Sequence, residues 1–219
     1  MLILRNTVNI LYYTHAYIEN IREEGIIIMG LHIHLHTFPT LETERLILRQ
    51  LAAPDAQDSF LFMSDEENIR YYDPAPMTQL EQAEQSIERH RRRFAQQEAL
   101  RWGITLKGEN RVIGNGGYAW DADNHLAVLS YILAKHYWNQ GIMTEALTEM
   151  IQFGFEHIHL HRIEAQVASP NLASARLLEK LGFQEEGRLR DRQYVNNQFV
   201  DERIFALINT NNVDGYNFP

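Results

Sequence analysis

The residues from Gln140 to Thr144 have the types and the spacing to bind a phosphate group. They follow an extended run that begins at His136, and Gly141 stands where a tight turn can lead directly into an amphipathic helix. The first backbone N–H groups of a helix have no intrahelical acceptor and lie at the positive end of the helix dipole. An anion at such a turn is stabilised, and the stretch therefore predicts a phosphate site.

A second marker lies further along the chain. Asn171 precedes a short amphipathic segment that has Ser174 in its first turn and ends at Gly182, a residue typical of a helix C-terminus. Together with the glycine turn, this segment resembles the GNAT superfamily of acetyl-CoA-dependent N-acetyltransferases. The closer resemblance, over residues 41–209, is to the branch that includes the ribosomal-protein acetyltransferases of the RimJ/RimL kind. It implies acetyl-CoA as the acetyl donor.

The resemblance also implies how the cofactor is held. In the family, the strand before the glycine turn diverges from the strand after the following helix, and the pantetheine arm lies between them. Main-chain groups of Leu133 and the Asn171 side chain then bind the pantetheine, while the turn amides hold the pyrophosphate. Lys135, Arg176 or Lys180 is expected to offset the cofactor's charge. The implied cofactor-binding residues are Leu133, Gln140, Gly141, Ile142, Met143, Thr144, Asn171 and Ser174.

Two residues of the turn depart from the pattern of the branch. Asn139 stands where the branch often has glycine, and Met143 stands where a small residue is usual. A backbone amide donates a hydrogen bond with any side chain that points away from the ligand. We therefore expect an altered affinity for the cofactor and an intact site.

Acetyl transfer to an amine requires a neutral amine, stabilisation of the developing oxyanion, and a proton for the departing thiolate. In the family a main-chain N–H on the diverging strand, here near Leu133, stabilises the oxyanion. The tyrosine that often protonates the thiolate is replaced here by Leu178. Ser174 stands where a serine of the ribosomal-protein branch is proposed to assist the thiol. The alternative is an ordinary serine on a helix surface.

The general base is less clearly marked. A glutamate that is common in the strand before the glycine turn corresponds to Val128, and an acidic residue used by some members of the branch corresponds to Gln193. Glu164 is the remaining candidate for a catalytic base. A structural role facing solvent is the alternative for Glu164.

The acceptor is predicted from the cost of deprotonating an amine. Holding a lysine-like amine neutral at pH 7 costs about 4–5 kcal/mol, whereas an α-amine near pKa 8 costs about 1.4 kcal/mol. A site without an obvious strong base therefore favours a protein or peptide N-terminal α-amine. Two alternatives remain: a small amine such as a polyamine, amino acid or antibiotic, and a non-catalytic acetyl-CoA-binding module.

Two stretches before the glycine turn carry clustered aromatic or glycine residues. The loop at residues 70–73, with Tyr118, Trp120 and Asp121, is a candidate lining for the acceptor pocket, and ordinary aromatic packing is the alternative. The glycines of residues 114–117 lack the spacing of a phosphate loop and indicate either a bulge or close backbone contact within a strand.

Composition excludes several classes of function. The 219 residues carry a net charge of −9, which offers no basic field to a nucleic acid. The absence of cysteine excludes disulfides, zinc–thiolate sites and an acyl-cysteine intermediate, so direct attack by the acceptor is the simpler route. The histidines at 32, 34 and 36 would share one face of a strand, whereas those at 157, 159 and 161 sit at a helix-to-strand turn where their spacing does not converge. Without cysteine or an H-E-x-x-H motif, no metal site is expected. Without a stretch long enough to span a membrane, a cytoplasmic location is predicted, as monomer or homodimer.

The hydrophobic patterns indicate one α+β domain. The resemblance implies a mixed, mostly antiparallel central sheet, splayed at its middle strands and flanked by helices on both faces. A capping box from Thr78 to Glu81 is predicted to start the second helix. Strands are predicted at about 44–51, 100–107, 111–120, 125–134, 161–168, 183–192 and 199–208, and helices at about 54–65, 78–98, 141–157 and 171–182.

The domain is predicted to span residues 41–209, with an N-terminal extension at residues 1–40 and a mobile tail at residues 210–219. The run from Arg22 to Gly25, ahead of Met29, reads like a translated ribosome-binding sequence. Residues 1–28 are therefore expected to be translated leader. The alternative is a true N-terminal helix that packs on the domain.

Overall fold

The computed structural model describes residues 35–72, 75–195 and 197–210. The expected leader, the histidines at 32 and 34, and all of the tail beyond residue 210 lie outside these ranges. The division of the chain into extension, domain and tail stays a prediction.

The described residues form one open sheet of eight strands in the order β1-β2-β3-β4-β5-β6-β8-β7. Every neighbouring pair is antiparallel except β5–β6, which is parallel. The strands are β1 (Leu41–Glu42), β2 (Leu46–Gln50), β3 (Ala99–Leu106), β4 (Val112–Asp121), β5 (Leu126–Leu133), β6 (Arg162–Ala168), β7 (Gln184–Val195) and β8 (Gln198–Ile208). The two-residue strand β1 was not predicted, since it is too short to show alternation.

Helices cover both faces of this sheet. They are α1 (Ala56–Met63), α2 (Leu80–Ala95), α3 (Ile142–Glu156) and α4 (Leu172–Lys180). Buried residues of α3 and α4 pack on one face, whereas α1 and most of the buried side of α2 pack on the other. The predicted α+β architecture, with a mixed sheet between two helical layers, is confirmed.

The start of α2 differs from its prediction by one residue. The Gln82 side chain accepts hydrogen bonds from the backbone N–H groups of Thr78 and Gln79, at 2.7 and 3.0 Å. Gln79 is the residue that precedes the helix, so the predicted box from Thr78 to Glu81 was wrong in register. A glutamine amide oxygen caps these N–H groups as a glutamate carboxylate would.

Two glycines in β4 permit close contact between strands, as predicted. A Cβ atom on Gly117 would lie 2.0 Å from the Leu100 carbonyl oxygen, and one on Gly114 would lie 2.5 Å from the Ile132 carbonyl oxygen. Gly117 also has a φ of +156°. No side chain fits either position unless the backbone moves.

Candidate active site

The parallel pair β5–β6 is joined over only part of its length. Residues Leu126–Leu129 pair with Arg162–Ala165. Beyond these residues β5 continues to Leu133 and β6 continues to Ala168, but the two strands no longer pair with each other. We call the space between residues 130–133 and residues 166–168 the strand gap. The sheet is therefore splayed at its middle strands, as predicted.

Leu133 directs its main chain into the strand gap. The backbone N–H of Ala134 donates to Ile113 on β4 at 2.8 Å. Because backbone groups alternate in direction along a strand, the N–H and C=O of Leu133 point away from β4 and toward β6. The indole of Trp138 donates to the Leu133 carbonyl oxygen at 2.7 Å, which ties the glycine turn to the end of β5. Trp138 was not identified from the sequence.

The glycine turn opens directly into α3. Gly141 precedes the helix with a φ of +75°, and the first intrahelical bond joins the Glu145 N–H to the Gly141 carbonyl at 3.0 Å. In the described part of the chain, no backbone acceptor outside the helix bonds the N–H groups of Gly141, Ile142, Met143 or Thr144. These are the donors that a helix N-terminus offers to an anion.

The structure accounts for both departures of the turn from the branch pattern. Asn139 has a φ of +59°, a conformation that glycine adopts freely and that asparagine tolerates better than most residues. The Met143 side chain is 7% exposed and packs in the main core. It therefore points inward and leaves the mouth of the helix uncovered.

A positive charge reaches the turn from the start of β2. The Arg45 guanidinium donates to the Gln140 carbonyl at 3.0 Å and to the Glu145 carboxylate at 2.6 Å. Burial works to raise the pKa of Glu145, but hydrogen bonds from Thr43 and Arg45 outweigh it and lower that pKa. Lys135, one of the cations expected to serve the cofactor, is bound to Glu67 and Asp65.

Ser174 is brought next to a tyrosine on the strand gap. Its Oγ lies 2.7 Å from the Tyr131 hydroxyl on β5, and its backbone N–H donates to the Asn171 side-chain oxygen at 3.2 Å. Burial raises the pKa of Tyr131 to about 12, with the hydrogen bond to Ser174 acting in the opposite direction. The phenol therefore keeps its proton at neutral pH. Leu178, where the family often has a tyrosine, is fully buried.

Glu164 lies on the opposite face of the sheet from Tyr131. It is aligned with Val128, and side chains three positions apart on a strand point to opposite faces. Its carboxylate binds the Arg162 guanidinium at 2.6 Å, and Arg162 also binds Glu186. The predicted base is therefore held by a cation within the paired part of β5 and β6.

Sequence reasoning missed a second carboxylate beside the strand gap. Glu202 on β8 is 4% exposed and is aligned with Ala168, the last residue of β6. Its carboxylate accepts a hydrogen bond from the Gln193 side chain on β7. Gln193 occupies the position where some members of the branch have an acid. The sequence signal was a glutamate on the strand that follows Gln193, but only the pairing of β7 with β8 joins the two.

A cavity of about 120 Å³ lies on the α1/α2 face of the sheet. We call it the α2 cavity, and its polar lining consists of Ser59, Tyr72, Ser86, Arg89, His90 and Asn115. Asn115 is aligned with Ile132, the neighbour of Leu133, so the cavity adjoins the strand gap.

The predicted acceptor lining is partly wrong. Tyr118 is fully buried in the main core, where its hydroxyl donates to the Met150 carbonyl at 3.0 Å.

Within the described ranges, no group of three or more His, Cys, Asp or Glu side chains is placed to hold a metal ion. The helices found there include none with the length and hydropathy needed to cross a membrane.

Comparison with known proteins supports the same family. The Acetyltransferase (GNAT) domain family matches residues 45–184. The protein named Uncharacterized N-acetyltransferase YoaA of Bacillus subtilis (strain 168) is 36% identical over 172 residues, which cover 78% of this chain and 97% of that protein. The ribosomal protein uS5-alanine N-acetyltransferase of Escherichia coli (strain K12) is 31% identical over 111 residues, 50% of this chain and 57% of that protein.

A solved structure extends the likeness to three dimensions. The ribosomal-protein-S5-alanine acetyltransferase of Vibrio fischeri is 25% identical and superposes with a TM-score of 0.71, over 78% of this chain and 97% of that one. The splayed sheet, the glycine turn and these matches lead to one conclusion. The chain belongs to the GNAT family and is an acetyl-CoA-dependent N-acetyltransferase.

Proposed function

We propose that the acceptor is the α-amine at the N-terminus of a protein or peptide, and that it takes the acetyl group directly from acetyl-CoA. The observation that carries the proposal is the 2.6 Å ion pair between Arg162 and Glu164, which engages the carboxylate predicted as base. An acceptor that loses its proton readily suits such a site. At pH 7 a neutral α-amine costs about 1.4 kcal/mol, and a neutral lysine amine about 4–5 kcal/mol.

The name of one relative supports this choice. The Escherichia coli protein is named for acetylating an alanine of ribosomal protein uS5. The composition also favours direct transfer, because a chain without cysteine cannot form an acyl-cysteine intermediate.

The cofactor is proposed to lie across the strand gap. The amides from Gln140 to Thr144 hold the pyrophosphate, with the Ile142 and Met143 side chains turned into the core. The main chain of Leu133 and the side chain of Asn171 bind the pantetheine arm. Because the Asn171 oxygen already caps α4, its NH₂ group is the part that we assign to the cofactor.

The reaction requires two proton movements. The amine nitrogen attacks the thioester carbonyl carbon, the oxyanion collapses, and the carbon–sulfur bond breaks. Ser174 donates its hydroxyl proton to the thiolate and regains one from the Tyr131 phenol, 2.7 Å away. The proton lost by the amine passes to water, because the ion pair with Arg162 engages Glu164, and solvent restores the phenol.

The test uses peptides that differ only in which amine is free. One peptide has a free N-terminus and no lysine, and its partner has an acetylated N-terminus and one lysine; spermidine represents the small amines. Thiol release from acetyl-CoA is measured, and the modified atom is located by mass spectrometry. We expect acetylation of the α-amine. Preferred turnover of spermidine would contradict the proposal, and cofactor binding without any turnover would favour the non-catalytic module.

A further inference from the structure

The α2 cavity has a polar end built around a histidine. The Ser86 hydroxyl lies 3.3 Å from His90 Nε2, and the Arg89 guanidinium donates to the same hydroxyl at 3.0 Å. Burial, and after it the charges of Arg101, Arg89 and Arg93, together lower the pKa of His90 to about 3. The imidazole is therefore uncharged at neutral pH, in a region where the charged neighbours are cations.

Arg101 is a partly buried cation beside this end of the cavity. It donates to the Ser130 carbonyl at 2.9 Å and to the Asn115 side-chain oxygen at 3.3 Å, both neutral acceptors. Neither Arg101 nor Arg89 forms an ion pair with a carboxylate in the described part of the chain. A partly buried guanidinium surrounded by neutral acceptors is a fitting partner for a ligand anion.

The position of these cations links them to the acceptor. Asn115 lies across from Ile132 and Ser130 lies across from Gly117, so Arg101 contacts the strands just before the end of β5. Pyrophosphate is assigned to the mouth of α3, which packs on the opposite face of the sheet. An anion in the α2 cavity would therefore belong to the acceptor and not to the cofactor.

We propose that the α2 cavity binds a carboxylate of the acceptor, a few bonds from the amine that is acetylated. The inference rests on the proposed function and specifies its substrate: a peptide whose first residue is acidic. A volume of about 120 Å³ is several times what one water molecule requires and admits a short acidic side chain. Arg89 lines the cavity and binds the carboxylate, and the His90 ring packs beside it. Arg101 adds a positive charge from just outside the lining, where it contacts Asn115.

The same charges favour the reactive form of the acceptor. Nearby cations destabilise an ammonium group and so lower the pKa of an amine held close to them. A free acceptor carboxylate in solution would raise the pKa of its own amine. Binding of the carboxylate to Arg89, with Arg101 nearby, removes that effect and leaves the amine neutral at a lower pH.

The test compares acidic acceptors with their uncharged isosteres. Peptides that begin with Asp or Asn, and otherwise identical, are assayed with the wild-type enzyme. We expect kcat/KM to be about tenfold higher for the Asp peptide, the size of one charge-assisted hydrogen bond. The ratio should fall toward one in Arg89→Gln and in Arg101→Gln. Arg92→Gln removes the same charge from a position of α2 that does not line the cavity, and should keep the full ratio.

Three outcomes would overturn the inference. They are a wild-type ratio at or below one, a ratio kept by both variants at the cavity, and an equal loss of ratio in Arg92→Gln. Arg101 also bonds the backbone of β5, so Arg101→Gln can unfold the protein. In that case the result for Arg89→Gln decides, because the described hydrogen bond of Arg89 goes only to the Ser86 side chain.

A second pair of acceptors separates this inference from the proposed function. 4-Aminobutanoate and its amide have no peptide bond and differ only in the carboxylate. If only this pair is acetylated, the peptide acceptor is wrong, and the acid-to-amide ratio still tests the cavity. No turnover with either series overturns both proposals.

Discussion

We propose that the hydroxyl groups of Ser174 and Tyr131 take the place of a missing acid. The position on the short helix where the family often has a tyrosine holds the buried Leu178, yet a tyrosine on β5 brings its hydroxyl to the same helix. Ser174 itself was identified from the family resemblance. Its partner was not, because 43 positions separate the two residues and only the fold brings them together.

Removal of either hydroxyl should lower the rate of the chemical step. We expect Ser174→Ala to reduce kcat by about 100-fold, the lower end for loss of a general acid, with little change in the KM for acetyl-CoA. Tyr131→Phe should have a smaller effect in the same direction, because water can return the proton to Ser174. Steady-state thiol release measures both. An unchanged kcat in Ser174→Ala would leave Ser174 an ordinary helix-surface serine.

His90 should make the protein less stable in acid. Its pKa of about 3 lies below the ordinary value of 6.5, so between these values the unfolded chain binds a proton that the folded protein excludes. Stability from this group is therefore present above pH 6.5 and is lost as the pH falls toward 3. We expect about 2 kcal/mol less unfolding free energy at pH 4.5 than at pH 7.5 from His90 alone.

The contribution of His90 is measured by difference. Denaturant unfolding of wild type and His90→Gln is compared at both pH values, so that carboxylates common to the two proteins cancel. The variant should lose less stability on acidification. An equal pH dependence in both proteins would contradict the prediction.

Among the elements, β4 depends most on glycine. A Cβ on Gly117 would overlap the Leu100 carbonyl oxygen, whereas a Cβ on Gly108, in the turn between β3 and β4, would meet nothing within 4 Å. Both glycines have positive φ angles, +156° and +85°. The two positions therefore separate the cost of backbone conformation from the cost of steric overlap.

Alanine substitutions at these glycines should differ strongly. We expect Gly108→Ala to cost about 1 kcal/mol of unfolding free energy, which is the cost of conformation alone. Gly117→Ala should cost at least about 3 kcal/mol, because β3 and β4 must separate to admit the methyl group. Chemical denaturation measures both values, and similar costs would show that the strands can move apart freely.

The glycine turn should control how much the cofactor stabilises the whole molecule. Acetyl-CoA at one hundred times its dissociation constant should add about 2.7 kcal/mol to the unfolding free energy. For a protein of this size, that raises the melting temperature by roughly several degrees. Gly141→Val should reduce the shift, since a β-branched residue does not adopt a φ of +75°. Gly108→Val, at +85° in the turn between β3 and β4, is the control and should keep the shift.

Across the molecule, local sequence patterns predicted the elements, whereas contacts between residues far apart in the sequence were missed. The strands, the helices and the glycine turn follow from periodicity and from a motif of consecutive residues, and their ends shift only slightly in the structure. Arg45 was missed at the turn because 95 positions separate it from Gln140. Glu202 and Tyr131 were missed for the same reason. Tyr118 was wrongly placed because its sequence does not show which face of β4 it occupies.

The short parallel pairing between β5 and β6 divides the sheet into two antiparallel halves, β1 to β5 and β6 to β8. Backbone amides that border such a seam are shielded by only one neighbouring strand. In the protein without ligand, amide hydrogen exchange should be fast at Tyr131 and Leu133 and slow at Ser130 and Ile132, whose N–H groups point to β4. A pantetheine arm seated in the seam would behave as a ninth strand and would selectively slow amide exchange at Tyr131 and Leu133.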